Sequence, residues 1–438
     1  MSQPGKALID KSNEFIDTNN VRFRRFELIL QAFAPELKMK WLRFSPPRPN
    51  LLKMIRWFTI LLFSLAVHGA SLDSRLAAYR SELDQFRAEY GGARELPDVH
   101  FFLFGMGLRP KFLYRDGKLV DLRTGVIMAQ WKVKSEVILP PEYRVVITQE
   151  DGSKVQIAEN DKAVWVGNAT NEVIVAGTQI PVKLPEFENH KYSRILKVLH
   201  QEILINCTTN GPVPNFFAYR KPWYRDGAMM GMALQKTGNL RSVRDWIMNL
   251  REPFDRNNGG ETEADNLGEA LYLISLVSDK KHPLVPTILL TTRQFEQESP
   301  NGKYIRGRTD FAEHPAYQTK WLKYGLRSLG INDTFGVPEL ADSYSSLFWM
   351  DYKDIYVIGK EANDRTNYPY LGWASDHFHK TRKSPISNRD YPLTWEQNAS
   401  QADYNGLAIL DKLYVEQKIA APHTWHAAEV FLYLLDQK

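Results

Sequence analysis

The sequence has a single cysteine, Cys207, so it forms no intrachain disulfide and holds no zinc on cysteine ligands. It also lacks a HExxH helix, a glycine/serine or glutamine/asparagine tract, and any short-period repeat. These absences exclude the common zinc-peptidase signature, a flexible linker and a solenoid. Net charge is low, +5 over 438 residues, and it is concentrated in one place. Residues 1–56 hold eleven Lys and Arg against five Asp and Glu, so the rest of the chain is close to neutral. A nucleic-acid partner therefore has no electrostatic footprint on the body of the protein.

Long apolar runs are also scarce. The one exception is WFTILLFSLAV, residues 57–67, preceded by Lys53 and Arg56 and followed by His68-Gly69-Ala70. A basic flank, a short apolar core and small exit residues make a signal peptide, and eleven residues are too few to span a bilayer comfortably. Met54 would place that signal at a normal start. The expectation is that residues 1–53 are an over-extended start or leader and 54–70 the signal. The mature protein is then secreted or periplasmic, with no stable insertion in the membrane.

Aromatic and aliphatic residues are plentiful: 43% of the chain is hydrophobic and 12% aromatic. Residues 71–97 form a helical lead-in, with Leu72, Leu76, Tyr79, Leu83 and Phe86 stepping by fours and threes. From 98 to 186 the texture is short β-branched and aromatic runs, such as FFLF, YRVVITQ and AVWVG. Asp116-Gly117, Thr124-Gly125 and Asp151-Gly152 punctuate them, which predicts a β-sandwich-like domain of roughly eight strands. From 187 to 438 the period becomes 3.6. Helices are predicted over the stripes around 195–204, 229–234, 240–250 and 267–276, and over 284–297, 315–329, 339–358, 401–415 and 423–436. So many helices with hardly a strand among them predict antiparallel hairpins closed in a ring, with chemistry in the loops at one end.

The densest motif is Trp223-Tyr224-Arg225-Asp226-Gly227-Ala228, running into a Met-rich helix. An Arg-Asp pair can hold sugar hydroxyls, the carboxylate accepting and the guanidinium donating; an N-cap aspartate with a neighbouring ion pair satisfies the same residues. Glu263-Ala264-Asp265-Asn266-Leu267-Gly268-Glu269 opens a later helix, and Thr424-Trp425-His426-Ala427-Ala428-Glu429 opens the last. Together these three segments resemble the glucoamylase-like members of the six-hairpin glycosidase superfamily, over about residues 190–438. The resemblance implies a mainly α fold, an (α/α)6 toroid preceded by the smaller β-sandwich-like domain. It implies a glycoside hydrolase that releases terminal sugars from an oligo- or polysaccharide with inversion and without a cofactor or metal. Arg225 and Asp226 would grip the terminal sugar.

Inverting hydrolysis needs one carboxyl group to protonate the leaving oxygen and another to activate water. For the base the candidate is Glu396, beside Trp395 in a Pro-containing loop. For the acid it is Glu339 in Val337-Pro338-Glu339-Leu340, where an apolar loop would favour the protonated form. Asp342, Glu261 and Glu263 compete for that role. Trp223, Tyr370, Trp373, Trp395 and His426 are the candidate walls of the pocket. His377, His379, His423 and His426 sustain a rival reading as proton shuttles. A phosphorylase, sugar epimerase or polysaccharide lyase, or a carbohydrate-binding protein without activity, fits the same residues.

Overall fold

The computed structural model of the protein describes residues 71–86, 101–168, 171–216, 219, 221–300, 302–310, 312–338 and 424–435. Residues 1–69 and 70–438 separate into two compact units, and all the described residues belong to the second. The leader and signal expectations, and the helices expected over 339–358 and 401–415, lie outside the described residues.

Nine strands follow one another between Phe101 and Gly177 in two antiparallel meanders. The first comprises β1 (Phe101–Phe104), β2 (Phe112–Arg115), β3 (Lys118–Asp121) and β4 (Ile127–Gln130), in that order. The second comprises β5 (Val133–Leu139), β6 (Arg144–Gln149), β7 (Lys154–Glu159), β8 (Ala163–Gly167) and β9 (Glu172–Gly177). Asp116 and Gly117 both have positive φ, 47° and 72°. That is the mirror-image turn whose twist matches a two-residue hairpin, and it joins β2 to β3.

The all-apolar FFLF of β1 has a simple cause. Successive side chains of a strand point to opposite faces, so a strand buried on both must be apolar throughout. Phe102 and Phe104 join Phe112, Tyr114 and Leu119 in a core shared with Val145, Ile147 and Ile157 of the second sheet. Phe101 and Leu103 turn the other way and pack into the helical core. The first sheet is thus a middle layer between the second sheet and the helices.

The helices are α1 (Leu72–Phe86), α2 (Ser193–Ile205), α3 (Tyr224–Thr237), α4 (Arg244–Met248), α5 (Asp265–Val277), α6 (Leu284–Thr292), α7 (Pro315–Ser328) and α8 (Thr424–Leu435). The longer ones pack side by side in the order α2, α8, α3, α5, α7. Helix α8, last in the chain, is therefore wedged between two helices that precede it by about two hundred residues. His190 meets the Leu434 carbonyl at 2.8 Å, and Thr424 N–H donates to the Pro214 carbonyl at 2.8 Å. At α5 and α7 the backbones themselves touch. A β-carbon added at Gly268 would lie 2.1 Å from the Trp321 carbonyl carbon, and one at Gly325 would lie 2.5 Å from the Gly268 oxygen. Only glycine permits that approach.

The expected (α/α)6 toroid is not what the chain forms. Among the described residues eight α-helices stand beside fifteen strands in five antiparallel sheets, about 40% helix and 25% strand. Three two-stranded ribbons interrupt the stretch in which hardly a strand was expected. They are β10–β11 (Cys207–Thr208 with Gly211–Pro212), β12–β13 (Glu296–Ser299 with Gly302–Ile305) and β14–β15 (Arg308–Thr309 with Ala312–Glu313). The helix expected over 284–297 stops at Thr292, because Glu296–Ser299 is taken up in antiparallel pairing with Gly302–Ile305. The stripe at 240–250 gives only a 3-10 turn and the five residues of α4. The spacing of apolar residues was read correctly there, but burial against neighbours does not require a continuous helix. No helix among the described residues is long and apolar enough to cross a membrane.

Candidate functional site

The buried guanidinium of Arg225, on the first turn of α3, organises the site. Its Nε donates to Asp265 Oδ2 at 3.0 Å, and its Nη1 lies 3.1 and 3.2 Å from the two oxygens of Asp310. Its Nη2 reaches Glu263 Oε1 at 3.4 Å, and Glu269 Oε1 stands 3.9 Å from Nε. Asp265 and Glu269 sit one turn apart on α5, so helical spacing puts both on one face. Glu263 comes from the residues leading into that helix, and Asp310 from the turn between β14 and β15. The Trp425 ring of α8 lies 5.9 Å from the guanidinium, completing the wall.

Four carboxyl groups around one cation cannot all remain ionised at low cost. Burial alone would discharge Arg225, but Asp310, Asp265 and Glu263 outweigh it and hold the guanidinium firmly charged. Burial pushes the Glu263 carboxyl up to about 7; Arg225 opposes this, while Asp265 and Asp310 reinforce it. Glu269 is pushed well above the usual carboxylate range by burial and then by Asp265. It accepts from Asn266 Nδ2 at 3.1 Å and lies 3.5 Å from the Tyr317 hydroxyl. The site therefore holds buried carboxyl groups biased toward their protonated forms beside a permanent cation.

Access distinguishes the four. The side chain of Asp310 is 15% exposed, against 3% for Glu263 and none for Asp265 and Glu269. Asp310 has a left-handed backbone, φ 51°. Its N–H donates to Glu263 Oε1 at 2.5 Å, and the neighbouring Thr309 hydroxyl donates to Asp265 Oδ1 at 2.8 Å. An aspartate tolerates that conformation better than most residues, and these bonds hold it there. Asn258 Nδ2 lies 3.4 Å from both Glu263 Oε1 and Asp310 Oδ1, and so closes the solvent side.

The expected site residues divide as follows. Arg225 and Glu263 are brought together. Asp226 is turned away: its Oδ1 accepts from Trp425 N–H at 3.2 Å and the Thr424 hydroxyl at 3.4 Å, capping α8 rather than its own helix. Trp223 is buried, edge-on to Tyr219 at 5.4 Å, while the α3 N-terminus is capped by Asp255, which accepts from Tyr224 N–H at 2.7 Å. His426 lies in the first turn of α8. Glu339, Asp342, Tyr370, Trp373, Trp395 and Glu396 lie outside the described residues. Among the described residues no group of His, Cys, Asp and Glu is arranged to hold a metal ion.

Sequence reasoning missed Asp310, which stands in the sequence as a lone turn-forming residue between Thr309 and Phe311. It also passed over Asp265 and Glu269 as functional, although two acids four apart on a buried helix face demand a cation. Comparisons with family models, curated proteins and solved structures return no match.

Proposed function

We propose that the protein is a glycoside hydrolase working by carboxylate acid/base catalysis, with Glu263 as the group that protonates the leaving oxygen. The observation that carries this reading is the pairing of a carboxyl raised to about 7 with the partly exposed Asp310 at the same guanidinium. A general acid must be protonated at the working pH and still able to release its proton, which a value near neutrality provides. Asp310 and Asn258 supply an acceptor and a donor suited to the hydroxyls of a terminal sugar, and Arg225 fixes their geometry.

Asp310 is not cast as the base. Its Oδ1 and Glu263 Oε1 are reached by one amide nitrogen. That is the spacing of groups sharing a hydroxyl, whereas an inverting acid and base stand roughly 6.5–9.5 Å apart. The water-activating role is assigned to Glu396, which makes the reaction a single displacement with inversion.

The test is an oligosaccharide screen with the full chain, following product mass and anomeric form. Glu263→Gln keeps the Oε1 acceptor and removes the proton, so turnover is expected to fall by about 10²–10⁴ with little change in binding. Wild-type turnover should decline as pH rises through about 7, as Glu263 ionises. Turnover unchanged in Glu263→Gln removes the acid from this site. Binding without turnover of any sugar favours a carbohydrate-binding protein.

A further inference from the structure

Asn258 stands where the carboxylate site meets solvent, and the residue after it is glycine. An Asn-Gly pair carries a reaction of its own, because the amide nitrogen of the second residue can close a small ring onto the side-chain carbonyl of the first. A β-carbon on the second residue crowds that ring, and glycine has none. The sequence holds four such pairs, Asn210-Gly211, Asn258-Gly259, Asn301-Gly302 and Asn405-Gly406. The asparagines of the last two lie outside the described residues. The first two are set in opposite surroundings. Gly211 is buried in β11, paired with Thr208, and an added β-carbon there would lie 2.6 Å from the Trp246 ring. Its amide cannot swing toward the Asn210 side chain without breaking the ribbon. Gly259 and Gly260 are exposed, with positive φ of 62° and 86°, and an added β-carbon at either meets nothing within 4 Å.

The Gly259 N–H sits in a local three-residue turn, 3.1 Å from the Asn257 carbonyl. The Asn258 side chain is held at its other end. Its Nδ2, the atom that must leave, lies 3.4 Å from both Glu263 Oε1 and Asp310 Oδ1. The amide is thus pinned at its leaving atom while the backbone behind it has room to turn. An amide nitrogen departs poorly unless it is protonated as it goes, and an acid within hydrogen-bond reach supplies that proton. The Glu263 carboxyl, raised to about 7 chiefly by burial, carries a proton below that pH. The charged groups around it are Arg225 on α3, Asp265 and Glu269 on α5, and Asp310 in the β14–β15 turn, with Tyr317 of α7 reaching Glu269. Arg225 favours its ionised form, and Asp265 and Asp310 its protonated one.

We propose that Asn258 is a self-modifying residue: the Gly259 nitrogen attacks the Asn258 side-chain carbonyl, and Glu263 protonates the departing nitrogen. A bond forms between Gly259 N and Asn258 Cγ, and the Cγ–Nδ2 bond breaks. Gly259 gives its amide proton to water, and the side-chain nitrogen leaves as ammonia with the proton from Glu263. The ring that remains is a succinimide. Water, the one co-reactant, opens it at either carbonyl and leaves aspartate or isoaspartate. The product sets a new carboxylate beside Glu263 and Asp310, so a further acid joins those around Arg225 and the Asn258 donor is gone. Like charges at that range oppose one another's ionisation. Under the glycoside-hydrolase reading the terminal sugar loses this donor and the enzyme ages out of use. That consequence rests on the proposed activity; the modification itself does not.

The test ages the full chain at neutral pH in water enriched in heavy oxygen and maps its peptides by mass at intervals, with Asn210 as internal reference. The expected result is conversion of Asn258 at least about ten-fold faster than Asn210, less than a positioned acid can supply because water also reaches the amide. Heavy oxygen should enter at position 258, with isoaspartate there detected by enzymatic methylation. In strong urea both sites are ordinary Asn-Gly pairs and their rates should become equal. The ratio should also fall as pH rises through about 7, because Glu263 gives up its proton and Asn210 has no such acid to lose. Glu263→Gln should bring Asn258 down toward Asn210, and the pH dependence of the wild type decides the matter even where that variant fails to fold. Gly259→Ala should slow Asn258 alone. Native conversion no faster than at Asn210, absence of isoaspartate, or a ratio indifferent to pH overturns the proposal. A ratio that stays high in Glu263→Gln overturns it in favour of loop freedom alone. Each outcome is read on peptides, so it holds whether or not any sugar is cleaved.

Discussion

The sandwich core and the helical layer solve the burial problem in opposite ways. The apolar cluster between the two sheets is built of Phe, Tyr, Leu, Ile, Val and Ala, and a single buried ion pair, Arg109 with Glu159 of β7 at 3.1 Å, is described in the β-rich part. Within the helical layer Arg225, Asp226, Glu263, Asp265, Glu269 and Glu429 are all buried as well. A buried charge costs several kcal/mol before its partners offset it, and an apolar substitute is often as stable. Charges retained in a helical core despite that cost mark the candidate site, and Arg225, Glu263, Asp265 and Glu269 lie together around α3 and the start of α5.

The contrast can be broken most severely at Arg225. Arg225→Met leaves Glu263, Asp265 and Asp310 facing one another without a cation, and should cost about 3–5 kcal/mol near neutral pH. Acid should restore much of this as the carboxylates take protons. In the sandwich, Ile147→Ala should cost about 2–5 kcal/mol through a cavity, with no comparable recovery in acid. Urea unfolding of both variants at neutral and acidic pH checks the pair; a pH-independent Arg225→Met would mean the carboxylates are not held by it. Next in size is Gly268→Ala, whose methyl group would collide with the α7 backbone, at about 1–3 kcal/mol. Thermal melting reads this directly, and an unchanged midpoint would refute the close approach.

The smallest effect sharpens the comparison through pH. Glu263 has a folded value of about 7, above its unfolded value near 4.5. The folded state therefore binds the extra proton between those values, and stability falls as pH rises through that window. Glu263→Gln should flatten this slope by an amount on the order of 1–2 kcal/mol, so the variant gains on the wild type above pH 7. Melting curves across the window decide it; parallel profiles would place the Glu263 proton elsewhere.

How much of this was legible in the sequence depended on range. Alternation and turn residues placed the β-region because its hairpins are local; Asp116-Gly117 specifies its turn within four residues. The stripes of α2, α3, α5 and α7 were likewise legible, since a helix face is written in its own spacing. The ring was not. Whether helices close a toroid depends on contacts between them, and Glu296–Glu313 contains two ribbons whose polar strands carry no apolar period. The site was half visible. Arg225 and Glu263 announce themselves as charges at helix starts. Asp226 misled because the groups it caps, on Thr424 and Trp425, lie nearly two hundred residues away, and no local spacing shows such a partner. Asp310 was hidden because its place comes from Arg225, Asn258 and Glu263, which lie 85, 52 and 47 residues away in the sequence.

The position of α8 also sets an order of events. Among the described residues Thr424–Leu435 fills the slot between helices α2 and α3, so Asp226 and the Pro214 carbonyl wait for partners made about two hundred residues later. The meanders can form behind the ribosome, being built from neighbours in sequence, while the helical layer stays open with its apolar seam uncovered. Such long-range closure is slow and aggregation-prone. Truncation before Thr424, or a stall there, would leave the nascent protein with a finished sandwich and an unsealed core, a natural client for a chaperone.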